Sequence, residues 1–428
     1  MQLSSMKFQS SLIKFSNIME SVADRKIGIA VSGGGDSMAL LHLASEWVKK
    51  SRREILTATV DHGLRPESKD EADFVKSISS ELEFRHDILR WRNRSAGNMQ
   101  NLARIARYDI LAKWAKEKKI KIILLGHTLD DQIETVMLNL IRGSGVDGLR
   151  GMSETKVVND VLFYRPLLSY SRDSLRSLLK SLQKPWLEDS SNFDTKYDRI
   201  KVRKLLSELK KEFNFDASRI SLTASHMRRA SKGLIGVTKE TAERIIKVRS
   251  YGDVEIDVEN FKSQEEEIQF RLLIAIFFWM SGNFYKPRFS DLEALSIAII
   301  GDQVKSGRSL MGVIVSQKEE RLVFRREAVA IKPIEIQHTK SFLWDHRWKL
   351  RLDLDLCSDL RVAILGDKNL SMLKKWKDFG IPRNALAVSP ALYRKEKLLS
   401  APLLMHGNSL SCTVVPSRKA FVSFFDRY

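Results

Sequence analysis

From Lys26 onward the apolar positions switch between two periods. KIGIAV (Lys26–Val31) is a short, continuous apolar run with several β-branched residues and reads as a buried strand. Leu40, Leu41, Ala44, Trp47 and Val48 then recur at helical spacing. ILTATVDHGL is a second strand ending in a polar loop, FRHDILRW a third strand, NMQNLARIARYDILAKWAKE a helix and IKIILLGH a fourth strand. After it Ile133, Val136, Met137, Leu140 and Ile141 form one apolar helix face. Strands alternating with helices predict an α/β fold with a parallel, doubly wound sheet, which binds ligands at the carboxyl ends of its strands. The segment after the first strand, Asp61–His62 and Gly126–His127 all fall at such ends.

Beyond this region the pattern changes. From about Phe163 to Leu206 the chain reads as a polar, charged connector. From there to about Gly301 it reads as helical, and its longest apolar run, LLIAIFFWM (Leu272–Met280), is too short to span a membrane and is expected as a buried helix. From Val304 short alternating strands dominate, as in LVFRREAVAI, WKLRLDLDL and LRVAIL. Three domains are expected: 1–206, a helical middle domain over 207–335, and a small α+β domain over 341–428. There is no internal repeat.

Charge changes the picture. The 428 residues carry 72 Lys and Arg against 53 Asp and Glu, a net +19, which points to a polyanionic partner, nucleic acid above all. The only cysteines are Cys357 and Cys412, with no C-x-x-C, so a zinc ribbon and a disulfide framework are excluded. The first 26 residues have no continuous apolar core of the kind a signal peptide has, and a cytoplasmic location is expected.

Two segments carry candidate chemistry. In AVSGGGDSMALL (Ala30–Leu41) three glycines join a strand to a helix N-terminus, where unpaired N–H groups and the helix dipole favour anions. Gly33, Gly34 and Gly35 allow close approach to a phosphate, and Ser32 and Ser37 add hydroxyl donors. Asp36 would repel a bare phosphate and is expected to act through a metal ion. A P-loop would need Lys after its last glycine, and the dinucleotide fingerprint spaces its glycines differently. In the second segment His127, Asp130, Asp131 and Glu134 cluster at a helix start by i, i+3 and i+4 spacing. Capping accounts for one acid. Clustered carboxylates repel unless a cation sits among them.

The string Ser-Gly-Gly-x-Asp-Ser resembles the pyrophosphate loop of the N-type ATP pyrophosphatases, the PP-loop superfamily, whose fold is adenine nucleotide alpha-hydrolase-like and which cleaves ATP to AMP and pyrophosphate. Together with VDHGLRPES, ARIARY, GHTLDDQIETVMLNLIRGSGVDGLRGM, RPLL and DSSNFDTKYDRIKVRKLL, it makes the chain similar to the tRNA(Ile)-lysidine synthetase family, densely from Lys26 to Leu206 and more thinly beyond. The resemblance implies that residues 1–206 are the catalytic domain and that the later domains bind tRNA. It implies an ATP- and magnesium-dependent ligase acting on tRNA(Ile) with a CAU anticodon. ATP adenylates O2 of the wobble cytidine, and the ε-amine of free L-lysine attacks C2 and displaces AMP. The product, lysidine, pairs with A rather than G, so decoding changes from AUG to AUA.

The implied ATP site is Ser32, Gly33, Gly34, Gly35, Asp36 and Ser37, with Asp36 also the candidate magnesium ligand and a catalytic residue. Asp130, Asp131 or Glu134 would orient the lysine ammonium and accept its proton. Arg107 and His127 are catalytic candidates for the α-phosphate, against plainer readings as a helix-face arginine and a loop histidine. Asp61 is a candidate beside the ribose. Arg199 and Arg203 are candidate tRNA contacts, and Ile200 stands where the family usually has Asn. No obligate protein partner is indicated. A tRNA thiolase of the same superfamily is the alternative enzyme, and it requires a cysteine near ATP, whereas no cysteine precedes Cys357. A non-catalytic tRNA-binding protein would keep the charge but have no use for Asp36 and the acidic turn.

Overall fold

The computed structural model describes residues 2–49, 53–61, 68–91, 99–188, 198–282, 287–336, 340–353, 359–373 and 375–414, with side chains from residue 8 in the first stretch and from 105 in the fourth. His62, residues 189–197 of the DSSNFDTKYDRIKVRKLL string and Cys357 lie outside the described residues. The chain divides into two compact units, Met1–Ser231 and Lys232–Tyr428.

The first unit is built on a six-stranded sheet of β1 (Lys26–Ala30), β2 (Glu54–Asp61), β3 (Arg85–Arg90), β4 (Ile122–Leu125), β5 (Thr155–Val158) and β6 (Val161–Tyr164), in the order β3-β2-β1-β4-β6-β5. Every pairing is parallel except the edge hairpin β5–β6. Its helices are α1 (Gln2–Met19), α2 (Gly35–Lys49), α3 (Ser68–Glu81), α4 (Met99–Glu117), α5 (Leu129–Ile141), the short α6 (Val146–Leu149), α7 (Arg172–Ser181), α8 (Asp198–Phe213) and α9 (Ser218–Ile245), within which the division between units falls.

The strands are buried on both faces. Ile27, Ile29, Ile122 and Leu124 point into a core with Phe15, Leu40, Val75 and Leu179, whereas Ala30, Ile123 and Leu125 point into a second core with Leu111 and Trp114. This two-sided burial explains why the strands read as continuous apolar runs rather than alternating ones. Strand order reverses between β1 and β4, and such a switch point opens a crevice at the strands' carboxyl ends. Gly126, just after β4, lets that crevice close tightly. A Cβ there would lie 3.0 Å from Ser37 Cα.

The expected connector from 163 to 206 proves to be structured. It holds α7, whose Leu175, Leu178 and Leu179 are buried against the α1–α2 face of the sheet. Ser171 caps it, accepting from the Ser174 backbone N–H. The polar residues that gave the stretch its connector character are the outward face of an amphipathic helix.

The second unit holds a five-stranded antiparallel sheet, β7 (Ile246–Val248), β8 (Val254–Asp257), β9 (Arg308–Leu310), β10 (Val313–Lys318) and β11 (Arg321–Arg326), ordered β7-β8-β11-β10-β9. With it come α10 (Val258–Lys262), α11 (Glu266–Ser281) and α12 (Phe289–Ile300). The run Leu272–Met280 is buried within α11 as expected. The stretch read as helical up to Gly301 also contains β7 and β8. These strands are short, and β8 is sheet because β11, more than 60 residues later, pairs with it. Two smaller antiparallel sheets follow, one of them β12 (Ser341–Trp344), β13 (Trp348–Leu352) and β14 (Leu410–Val414). Among the described residues no helix is long and apolar enough to cross a membrane.

Candidate functional site

The loop after β1 is drawn into a tight turn by its own serines. Ser37 Oγ donates to the Gly34 carbonyl at 2.9 Å and accepts from the Ser32 backbone N–H at 3.2 Å. The turn ends where α2 begins, so the helix's first N–H groups, which lack intrahelical partners, face the crevice. The glycines divide their work. Gly33 holds φ +87°, a conformation that penalises side chains, and a Cβ there would meet Leu187 at 2.8 Å. Leu187 donates its N–H to the Gly33 carbonyl at 2.9 Å and, with Glu188, also lines the cavity, so this segment straps the loop at the cavity's edge. Gly34 and Gly35, with Ser32, Asp36 and Ser37, line a cavity of about 540 Å³. Gly33 does not line it.

The opposite wall comes from the start of α5. Thr128 and Asp131 form a capping box, in which Asp131 Oδ2 accepts from the Thr128 N–H at 2.9 Å and the Thr128 hydroxyl at 3.1 Å. The capping reading thus holds for Asp131, and it does not exhaust that residue. The cation required among the clustered acids is Arg172, the first residue of α7. Its Nε donates to Asp36 Oδ2 at 3.3 Å, Nη1 to Glu134 Oε1 at 3.2 Å and Nη2 to Asp131 Oδ1 at 3.0 Å. Its backbone N–H donates to Asp130 Oδ2 at 2.6 Å. Arg203 on α8 adds a second guanidinium, donating to Glu134 Oε1 at 2.6 Å.

Burial sets the electrostatics. It pushes the Asp36 carboxyl up to about 6, with Arg172 opposing and Asp131 and Asp130 adding to the rise. Burial alone would lower the Arg172 guanidinium, but Asp131, Glu134, Asp36 and Asp130 together raise it above its ordinary value. Four carboxylates against two guanidinium groups leave the cluster about two charges negative when ionised, which suits a further cation.

Most of the sequence-predicted residues converge here. Ser32, Gly34, Gly35, Asp36, Ser37, Arg107, His127, Asp130, Asp131 and Arg203 all line the cavity. Glu134 lies behind the wall, 1% exposed and held by both arginines. Arg199, one turn before Arg203 on α8, is not a lining residue, and neither is Asp61 at the end of β2. Sequence reasoning missed Arg172, together with Asp173 and Arg176, which also line the cavity. The signal was present in SRDSLRSLL, an N-cap serine followed by leucines at helical spacing.

Among the described residues no group of three His, Cys, Asp or Glu is arranged to hold a metal ion. A magnesium ion bound through one or two carboxylates and substrate phosphates needs no such group. Asp36, at the mouth of the loop, fits that requirement.

Residues 7–209 match the PP-loop domain family. The tRNA(Ile)-lysidine synthase of Ruegeria pomeroyi is 36% identical over 380 residues, covering 89% of this chain and 88% of that one. The tRNA(Ile)-lysidine synthase of Wolbachia pipientis is 35% identical over 395 residues, covering 91% of each. Among solved structures, a U34-tRNA thiolase from Methanococcus maripaludis aligns with 52% of this chain and 79% of its own, at 19% identity and a TM-score of 0.45.

Proposed function

The chain belongs to the tRNA(Ile)-lysidine synthase family, enzymes that modify tRNA with an ATP-using PP-loop domain, and on that premise we propose that it ligates free L-lysine to C2 of the wobble cytidine in the CAU anticodon of tRNA(Ile). In the first step O2 of the cytidine attacks the α-phosphorus of ATP, and pyrophosphate leaves. In the second the lysine ε-amine, having lost a proton, attacks C2. The C2–O2 bond breaks and AMP departs.

One observation carries this reading: a phosphate-type loop and a net-negative acidic cluster face each other across one cavity. The first suits the triphosphate and the second suits an ammonium. Ser32, Gly34, Gly35, Ser37 and the N-terminus of α2 would cradle the leaving pyrophosphate. A magnesium ion held by Asp36 and the phosphates would neutralise the charge that builds on that leaving group. Arg107 and His127 would face the α-phosphate. Asp130 offers the amine a proton acceptor on the cavity wall. Asp131 lines the same wall and pairs with Arg172, while Glu134 acts from behind it, sharing its charge with Arg172 and Arg203.

The wobble base sits in a loop, so it can leave its stack at low cost. Because methionine tRNAs share the CAU anticodon, residues 207–335 and 341–428 would supply contacts elsewhere on the tRNA. The test is a pyrophosphate-release assay with a tRNA(Ile) transcript. With ATP but no lysine, pyrophosphate and an adenylated tRNA accumulate. Adding lysine converts that species to lysidine and AMP. ADP and inorganic phosphate as products would overturn the reading.

A further inference from the structure

We infer that Arg172 is a positioning residue that couples the two halves of the reaction, an inference that rests on the ligation proposed above. Its three guanidinium nitrogens are each committed to a different carboxylate: Asp36 on α2, and Asp131 and Glu134 on α5. Asp36 belongs to the phosphate side of the cavity and Asp131 to the ammonium side. One planar group therefore fixes the distance between them.

The group is itself held still. Its backbone N–H is bonded to Asp130, Ser171 caps its helix, and Leu175, Leu178 and Leu179 anchor α7 in the core below. Its side chain is 18% exposed, and the side chains it bridges are 23% exposed at Asp36, 13% at Asp131 and almost wholly buried at Glu134. Without the guanidinium the acids would repel one another and each would be free to shift. Lysine would keep the charge at 172 but concentrate it on one nitrogen, which cannot span three carboxylates as a fork does. Asp36 and Asp131 should consequently behave as an interacting pair, although no bond joins them directly.

Single-turnover kinetics can test this by following adenylate formation, and separately lysine attack on pre-formed adenylated tRNA. Asp36→Asn is expected to slow the first step and Asp131→Asn the second. Arg172→Gln is expected to slow both, by about ten- to a hundredfold each, the scale of a lost charge-assisted contact. Asp131→Asn should add little to Arg172→Gln, because the partner through which it acts is already gone. A purely structural arginine would lower the melting temperature and leave both rates of the folded protein unchanged, which would overturn the proposal. So would loss of one step alone, or full additivity of the two substitutions. If Arg172→Gln does not fold, Arg172→Lys decides: slowing of both steps supports coupling, and wild-type rates refute it. A wild-type protein that releases pyrophosphate but never forms lysidine would instead refute the underlying ligation.

Discussion

Asp36 shows how one residue can trade stability for chemistry. Its carboxyl is pushed up to about 6, so between roughly pH 4 and 6 the folded chain binds more protons than the unfolded chain. Its contribution to stability therefore declines as pH rises through that window. At neutral pH the fold holds a charge that its surroundings disfavour. Asp36→Asn should accordingly raise stability at pH 7 by up to about 3 kcal/mol, the free-energy equivalent of the shift, and leave less of a gain below pH 4. The same substitution should cut adenylation by orders of magnitude. In the wild type kcat/KM for adenylation, which reports the free enzyme, should fall as pH drops through about 6, where the metal-free carboxylate is lost. Denaturant melts at the two pH values, beside a pH profile of pyrophosphate release, check both halves. A variant that is less stable at pH 7 would contradict the electrostatic account. Gly33 carries a further constraint at this scale, because a Cβ there would meet Leu187 at 2.8 Å.

Among the elements, α5 separates capping from chemistry. Thr128 and Asp131 share the capping box, but only Asp131 also reaches Arg172. Thr128→Ala should cost about 1 kcal/mol of stability and leave both half-reactions within about twofold of wild type. Asp131→Asn should destabilise comparably and also slow lysine attack by about ten- to a hundredfold. A thermal melt run beside the two kinetic assays distinguishes them, and equal kinetic effects of the two substitutions would remove Asp131 from the chemistry. Strands β1 to β4 and helices α2, α4 and α5 were legible in the sequence because a strand's apolar run and a helix's 3.6-residue period are short-range signals. Helix α7 was hidden by its outward polar face, and β8 because its partner lies far along the chain.

For the whole molecule the governing quantity is the net charge of +19. tRNA affinity should fall steeply with salt, since each neutralised phosphate releases counterions. A basic face is available on β13, where Arg351 is exposed between Ser341 on β12 and Ser411 on β14, and Lys349 between Leu343 and Thr413 on the same two strands. Lys349→Glu with Arg351→Glu should weaken tRNA binding and flatten its salt slope by about one per lost contact, with ATP binding unchanged. Filter binding over a salt series measures this, and an unchanged slope would place the RNA elsewhere. Truncation before Ser341 would be a poor substitute. The expected boundary near 335–341 lies inside the second unit, where Arg347, 1% exposed, donates to the Gly252 carbonyl at 2.7 Å.

By itself the sequence determined the parallel sheet, the serine-glycine loop at its carboxyl edge and the acidic turn opposite, because periodicity, turn chemistry and helix starts are properties of neighbouring residues. Only the tertiary structure decided which groups neutralise which. Arg172 meets Asp36 across 136 positions and Asp131 across 41, and no local pattern encodes such a meeting. It also decided that Glu134 stands behind the cavity wall and that Arg203 lines the cavity while Arg199 does not. The reason is physical: local spacing fixes the face of a helix on which a charge sits, but the partner of that charge is chosen by the packing of apolar faces that bring distant elements together.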